Sequence, residues 1–235
     1  MAPVKLILFD LDDTLVHFED YWAQSMVEAF RRHAATRDLD AEALMEMVWK
    51  HNDVFQPMYH RKEITLKDYW NLRLIRALAE FGRKIDMEDA DEFNRFHQTL
   101  SLSFIKPDPA VIDLLAGWSR RYRLGIVSNG TTGWQMGKLE AAGLLQYFSP
   151  ELIVISEEAG VEKPEPEIYK RALSEAGTAA EHVLFVGDSW SNDVDGPGRL
   201  GIRTVWFNRR GEQAPARPDH LAGIITRLEE LEAYL

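Results

Sequence analysis

Five short stretches, at 4–9, 124–127, 152–155, 183–186 and 204–207, are rich in Val, Ile, Leu and Phe and do not alternate with polar residues. A strand with one wet face alternates, whereas a strand covered on both faces, as in a parallel sheet flanked by helices, does not. Between the last four runs lie segments that read as helices, at 132–141, 166–176 and 192–200, with Gly143 and Gly177 where helix ends favour glycine. Strands alternating with helices imply an open α/β fold with right-handed crossovers. The expectation is a Rossmann-like parallel sheet.

The rhythm is broken once. From 16 to 104 the chain shows amphipathic stretches, at 22–33, 41–51, 66–81 and 88–102, and no convincing strand. A helical block is therefore inserted between the first and second strands, with Pro107 and Pro109 at its exit. The expected organisation is an α/β catalytic core of residues 1–15 and 105–235 and an α-helical cap of residues 16–104. For a chain of 235 residues, that is one core domain carrying a smaller second one.

Charge narrows the partners. The chain has 38 Asp and Glu against 27 Lys and Arg, a formal net charge of −11. An acidic surface argues against nucleic-acid polymers and anionic lipid, so an anionic substrate needs local positive charge. There is no cysteine, which excludes disulfides and thiolate chemistry and fits a reducing compartment. The N-terminus lacks the pattern of a signal peptide, and no apolar run approaches the ~20 residues that span a bilayer. A cytoplasmic protein is expected. Oligomeric state is not legible.

In an open parallel sheet, ligands sit beyond the carboxyl ends of the strands. After the first strand comes Asp10-Leu11-Asp12-Asp13-Thr14; after the second, Ser128-Asn129-Gly130-Thr131; after the third, Ser156, with Lys163-Pro164 further on; after the fourth, Gly187-Asp188-Ser189 and then Asp193. Asp10 and Asp12 are two apart at a strand end, so both carboxylates can face one side. Two such carboxylates do not both ionise comfortably without a cation; one can serve as nucleophile and the other carry a proton as general acid. Oxygen donors around Asp10 and Asp188 suit magnesium. Ser128 and the N–H groups of Asn129 and Gly130, expected to open a helix, suit an anion. Lys163 adds a point charge for phosphoryl oxygens.

These motifs, in this order, resemble those of the haloacid dehalogenase superfamily, and the resemblance covers the whole chain, helical cap included. The stretch from Val154 to Pro164 is similar to the branch that holds bacterial pyrimidine 5′-nucleotidases. The resemblance implies a magnesium-dependent phosphatase of small phosphate monoesters, nucleoside 5′-monophosphates or sugar phosphates among them. It implies Asp10 as nucleophile, Asp12 as acid then base, and Ser128 and Lys163 as the phosphoryl holders, to which the reading of the helix start adds Asn129. It implies Asp10, Asp188 and the backbone carbonyl of Asp12 as Mg2+ ligands, and Asp193 as an acid behind the metal and beside Lys163.

Plainer readings stand beside these. Ser128 also fits a helix N-cap, Lys163 a loop lysine, and Asp193 an acid balancing a helix dipole. Asp13 reads as solvated or structural. In the helical block, His17, Glu19, Tyr21, Trp22, His60, Arg61 and Lys62 read as solvated faces or as contacts to a leaving group. A 2-haloacid dehalogenase, a phosphomutase, and a non-catalytic binding or regulatory protein are the rival functions; a second acid at Asp12 argues against the dehalogenase.

Overall fold

The computed structural model describes residues 2–235. Six strands form one parallel sheet: β1 (Leu6–Phe9), β2 (Arg123–Ser128), β3 (Ile153–Ile155), β4 (Val183–Gly187), β5 (Arg203–Phe207) and β6 (Leu221–Ile225), in the order β3-β2-β1-β4-β5-β6. The α/β Rossmann-like expectation is met. The order reverses direction between β1 and β4, which creates a crevice beyond their carboxyl ends. β1 pairs with β2 on one side (Leu8 opposite Gly125) and with β4 on the other (Leu8 opposite Phe185).

Every residue of β1 and β4 is buried, as their unbroken apolar runs predict. Leu6 and Leu8 enter a cluster with Val127, Val154, Ile168 and Tyr169, below α8 (Pro166–Ala176). On the opposite face Phe9 stacks on Trp118 of α5 (Pro109–Trp118), with ring centroids 5.9 Å apart. Burying side chains of this size contributes about 1.5–3 kcal/mol each. Two elements here are not anticipated from the sequence. α5 starts on Asp108, whose carboxylate accepts from Ala110 N–H, with Pro109 at its first position. β6 is a half-exposed edge strand, Leu-Ala-Gly-Ile-Ile, whose apolar run is broken by Gly223.

The expected helix at 192–200 is present but shifted and distorted. It is a π-helical turn at Trp190–Asp195 followed by a single helical turn, α9 (Gly196–Gly198). Gly-Pro-Gly is a poor helix former, and Asp193 is held by bonds described below.

Contacts within the chain divide it into two compact units, one of residues 1–18 and 106–235, the other of residues 19–105. The second holds most of α1 (Phe18–Arg32), with α2 (Ala41–His60), α3 (Leu66–Ala79) and α4 (Met87–Ser101). Capping sets the starts: Asp40 accepts from Ala43 N–H, while Thr65 with Asp68 and Asp86 with Asp89 form reciprocal capping boxes. α2 runs nine residues beyond the expected 41–51, through Pro57, because Asn52 and Phe55 are buried in the unit. Phe30 of α1 stacks on Phe93 of α4 at 5.3 Å. Among the described residues, no helix is long and apolar enough to cross a membrane.

Candidate active site

The site begins where β1 ends. Asp10 N–H donates to Val186 O at 2.9 Å, which continues the ladder one residue past the strand. The chain then curls tightly: Leu11 O accepts from the N–H groups of Leu15 (2.9 Å) and Val16 (3.0 Å). Asp13 takes a left-handed backbone (φ 57°), which aspartate tolerates better than most residues. Its Oδ1 accepts from Phe18 N–H at 2.9 Å, and its Oδ2 lies 3.4 Å from Arg210. Asp13 is thus a structural residue of this loop, one of the two readings open for it.

Lys163 is buried and its Nζ bridges two carboxylates, Asp10 Oδ1 at 2.7 Å and Asp193 Oδ1 at 2.8 Å. Its backbone is clamped by Asn129: Lys163 N–H donates to Asn129 Oδ1 at 2.7 Å, and Asn129 Nδ2 donates to Lys163 O at 3.1 Å. The peptide to Pro164 is cis. The motif pattern leads one to expect Asn129 to present its backbone N–H to an anion; in the fold its side chain aims the lysine. Gly130 N–H donates to Ser156 Oγ at 2.9 Å and is not available for an anion. Helix α6 (Thr132–Ala141) begins after Thr131, three residues beyond Ser128, so Ser128 is not its N-cap.

Asp193 is fully buried, with its second oxygen accepting from Ser189 N–H at 2.9 Å. Gly187 makes this possible, since a Cβ there would fall 2.4 Å from Asp193 Cγ. One oxygen each from Asp10, Asp188 and Asp193 lie within 4.8 Å of one another. With both oxygens of Asp193 engaged, Asp10 and Asp188 are the better placed to meet a cation. The charges agree. The Asp10 carboxyl is pushed up to about 7, by burial first and then by Asp193 and Asp12, against the pull of Lys163. Asp188 is pushed up to about 9, by burial and then by Asp10 and Asp193. Burial would lower Lys163, but Asp10 and Asp193 more than offset it and hold it above its ordinary range. Excess carboxylate in a largely buried cluster, whose possible metal ligands are all oxygens, fits a hard divalent cation.

Asp12 stands on a second lysine. Lys138 Nζ donates to Asp12 Oδ1 at 2.6 Å and Oδ2 at 2.8 Å, and Gln135 Nε2 donates to Asp12 Oδ2 at 2.9 Å. The same Gln135 Nε2 reaches Ser128 Oγ at 2.6 Å, so one amide ties the acid after β1 to the hydroxyl ending β2. Lys138 is 1% exposed, with Nζ 3.8 Å from the centroid of Trp134. Its pKa is lowered by burial, against the pull of Asp12. Neither residue is a predicted site residue. A signal exists: Gln135 and Lys138 lie three apart on the face of α6 that also carries Trp134 and Leu139, where a buried helix ordinarily places apolar groups.

The structure therefore brings Asp10, Asp188, Asp193 and Lys163 into one cluster, with Ser128 and Asp12 joined by Gln135 and Asn129 acting on Lys163. Tyr21 and Trp22 are buried within the helical unit, while Arg61 is an exposed partner of Glu63.

A Rossmann-like sheet with a helical insertion after its first strand and an aspartate–lysine cluster at that strand's end defines the class: an α/β protein with a candidate site at the carboxyl edge of its sheet. Comparison supplies the family. Residues 4–201 match the family model described as haloacid dehalogenase-like hydrolase, and the chain belongs to that family. It is 32% identical over 262 residues to a phosphoserine phosphatase of Thermus thermophilus, with 98% of this chain and 100% of that protein covered. It is 27% identical over 205 residues to the pyrimidine 5′-nucleotidase PynA of Streptococcus pneumoniae, covering 87% of this chain and 84% of the relative. Among solved structures, the magnesium-bound HAD-hydrolase YfnB of Bacillus subtilis superposes with a TM-score of 0.79 at 24% identity, covering 99% of both chains, a likeness of fold. The resemblance carried by the motifs is thereby confirmed at the level of family.

Proposed function

We propose that this hydrolase is a magnesium-dependent phosphatase of small phosphate monoesters that works through a phosphoaspartate on Asp10. The observation that carries the reading is the division of the two acids between two lysines: Asp10 on Lys163, beside Asp188, and Asp12 on Lys138. Each acid then has its own charge environment, which two different roles require.

Asp10 and Asp188, with the backbone carbonyl of Asp12, are assigned as the Mg2+ ligands. Bound there, the ion would supply charge neutralisation for phosphoryl oxygens. Lys163 and Ser128 hold the phosphoryl group, with the backbone N–H of Asn129. A carboxylate oxygen of Asp10 attacks phosphorus in line; the P–O bond to the leaving group breaks, and Asp12 gives that oxygen its proton. Asp12 then takes a proton from water, which attacks the phosphoaspartate, releasing phosphate and restoring Asp10. Asp193 keeps Lys163 in place. The helical unit is assigned the role of cap, selecting the leaving group.

Nucleoside 5′-monophosphates and sugar phosphates are the proposed substrates; the first is supported by the pyrimidine 5′-nucleotidase among the relatives. Small molecules rather than nucleic-acid polymers are part of the same reading, supported by the net charge of −11, and a cytoplasmic setting is proposed with them.

Phosphate release from an aryl phosphate, with Mg2+ and then with EDTA, is the first test. Activity is expected to need the metal, to vanish in Asp10→Asn and to fall by about 10²–10⁴-fold in Asp12→Asn. Near-normal turnover by Asp10→Asn would end the proposal. With a sugar phosphate, free phosphate in place of an isomerised product separates hydrolase from mutase.

A further inference from the structure

Within the helical unit one guanidinium is buried without an anion to balance it. Arg73, on α3, is 6% exposed. Its Nη1 donates to Asn52 Oδ1 at 3.1 Å and to Tyr69 Oη at 3.2 Å, and Tyr69 Oη in turn donates to Asn52 Oδ1. Its Cζ lies 5.1 Å from the ring centroid of Trp22 and 4.9 Å from that of Tyr69. These neighbours are an amide, a phenol and an indole, all neutral. Burial pushes the Tyr69 phenol above its ordinary range, so it offers no negative charge near neutral pH.

The contrast with other arginines of the unit is direct. Arg31, Arg32, Arg61, Arg83 and Arg95, all on its surface, each pair with a Glu or Asp. Arg73, largely buried, pairs with none among the described residues. A guanidinium does not shed its charge at any pH a protein survives. Cation–π contact offsets only part of its removal from water.

Geometry says what would complete it. A guanidinium has five N–H donors. Both bonds of Arg73 leave from Nη1, so the Nε–Nη2 edge donates to nothing among the described residues. That edge is a planar fork matched to two oxygens of one carboxylate or phosphate. Trp22, which supports the stack, meets Trp49 edge-on at 5.0 Å, and Trp49 is 45% exposed. An aromatic surface therefore leads from the buried cation to the outside of the unit.

We propose that the Nε–Nη2 edge of Arg73, walled by Trp22 and Tyr69, is an anion-recognition site of the helical unit that takes a carboxylate or phosphate group of a small metabolite. The anion is either a second charged group on the substrate or a separate effector. Only the first of these rests on the phosphatase reading.

Calorimetric titration of the full chain with malonate, which carries no phosphoryl group, tests the site without turnover. Wild type is expected to bind, with affinity lower by roughly 10- to 100-fold in Arg73→Gln and intermediate in Arg73→Lys, which keeps the charge but loses the fork. No binding by wild type, or equal binding by wild type and a folded Arg73→Gln, would overturn the proposal. If Arg73→Gln does not fold, Arg73→Lys decides alone: affinity equal to wild type overturns it.

Kinetics then locates the anion. With phospholactate against its analogue whose carboxylate is reduced to an alcohol, a substrate site predicts that Arg73→Gln loses kcat/KM on the carboxylate alone. An effector site predicts that malonate changes both rates in wild type and neither in Arg73→Gln. Equal loss on both substrates, with a lowered melting temperature and unaltered malonate binding, would make Arg73 a strut between helices. Should no phosphate ester turn over at all, malonate binding by wild type and its loss in Arg73→Gln still decide whether the site exists.

Discussion

In the proposed mechanism the Asp12–Lys138 pair matters to turnover and is expected to contribute little to stability. Lys138 is taken fully out of water, while the Asp12 side chain keeps 31% of its exposure. Removing the lysine abolishes the desolvation of a cation and leaves a carboxylate that still reaches solvent and Gln135. Lys138→Met is therefore expected to fold with a melting temperature close to wild type or above it, and to lose about 10²-fold in kcat with KM little changed, because the acid is no longer aimed. Steady-state kinetics beside a thermal melt checks both halves. A large loss of stability with kcat intact would contradict the argument.

At the scale of elements, the junction of β4 with the π-helical turn carries the most constraint. β4 ends on Gly187, the turn then bends back, and Asp193 N–H donates to Ser189 O at 2.7 Å. The fit of Asp193 against Gly187 leaves no room for a methyl group, which would come within 2.5 Å of Asp193 Oδ2. Gly187→Ala is expected to cost about 1–3 kcal/mol. It should also lower activity by drawing Asp193 off Lys163. Chemical denaturation and kcat measure the two effects, and wild-type values for both would contradict the packing described. This is also where sequence pattern gives the helix but not its form. Residues 192–200 lie where a crossover helix is due, but the geometry there is dictated by a buried acid whose partner, Lys163, lies 30 residues earlier. β6 escapes notice for another reason: it is a short edge strand, broken by Gly223, that follows a stretch rich in Pro and charge.

For the whole molecule, the clustered acids couple folding to pH. Asp10 at about 7 and Asp188 at about 9 keep protons in the folded state that the unfolded chain, with carboxyls near 3.8, has already released. The folded state binds more protons across this window, so stability falls as pH rises from about 4 to about 9. Lys163, raised above 10.5, remains protonated in both states through that range and does not alter the sign. Melting of the chelated protein is thus expected to move to lower temperature from pH 5 to pH 9. Asp188→Asn should flatten the fall, and Mg2+ at pH 8 should stabilise wild type more than that variant. A level profile for chelated wild type would refute the coupling.

Period and order along the chain were enough to determine the parallel sheet, the helical insertion and the succession of acids, hydroxyl and lysine at the strand ends. Those depend on local hydrophobic pattern and on the rule that ligands gather at the carboxyl edge, both written in consecutive residues. Only the tertiary structure decided which charge meets which: Asp10 with Lys163, 153 residues on, Asp12 with Lys138, 126 residues on, and Arg73 with no acid among the described residues. Pairing across such separations follows from strand order and helix packing, and neighbouring residues hold no record of it.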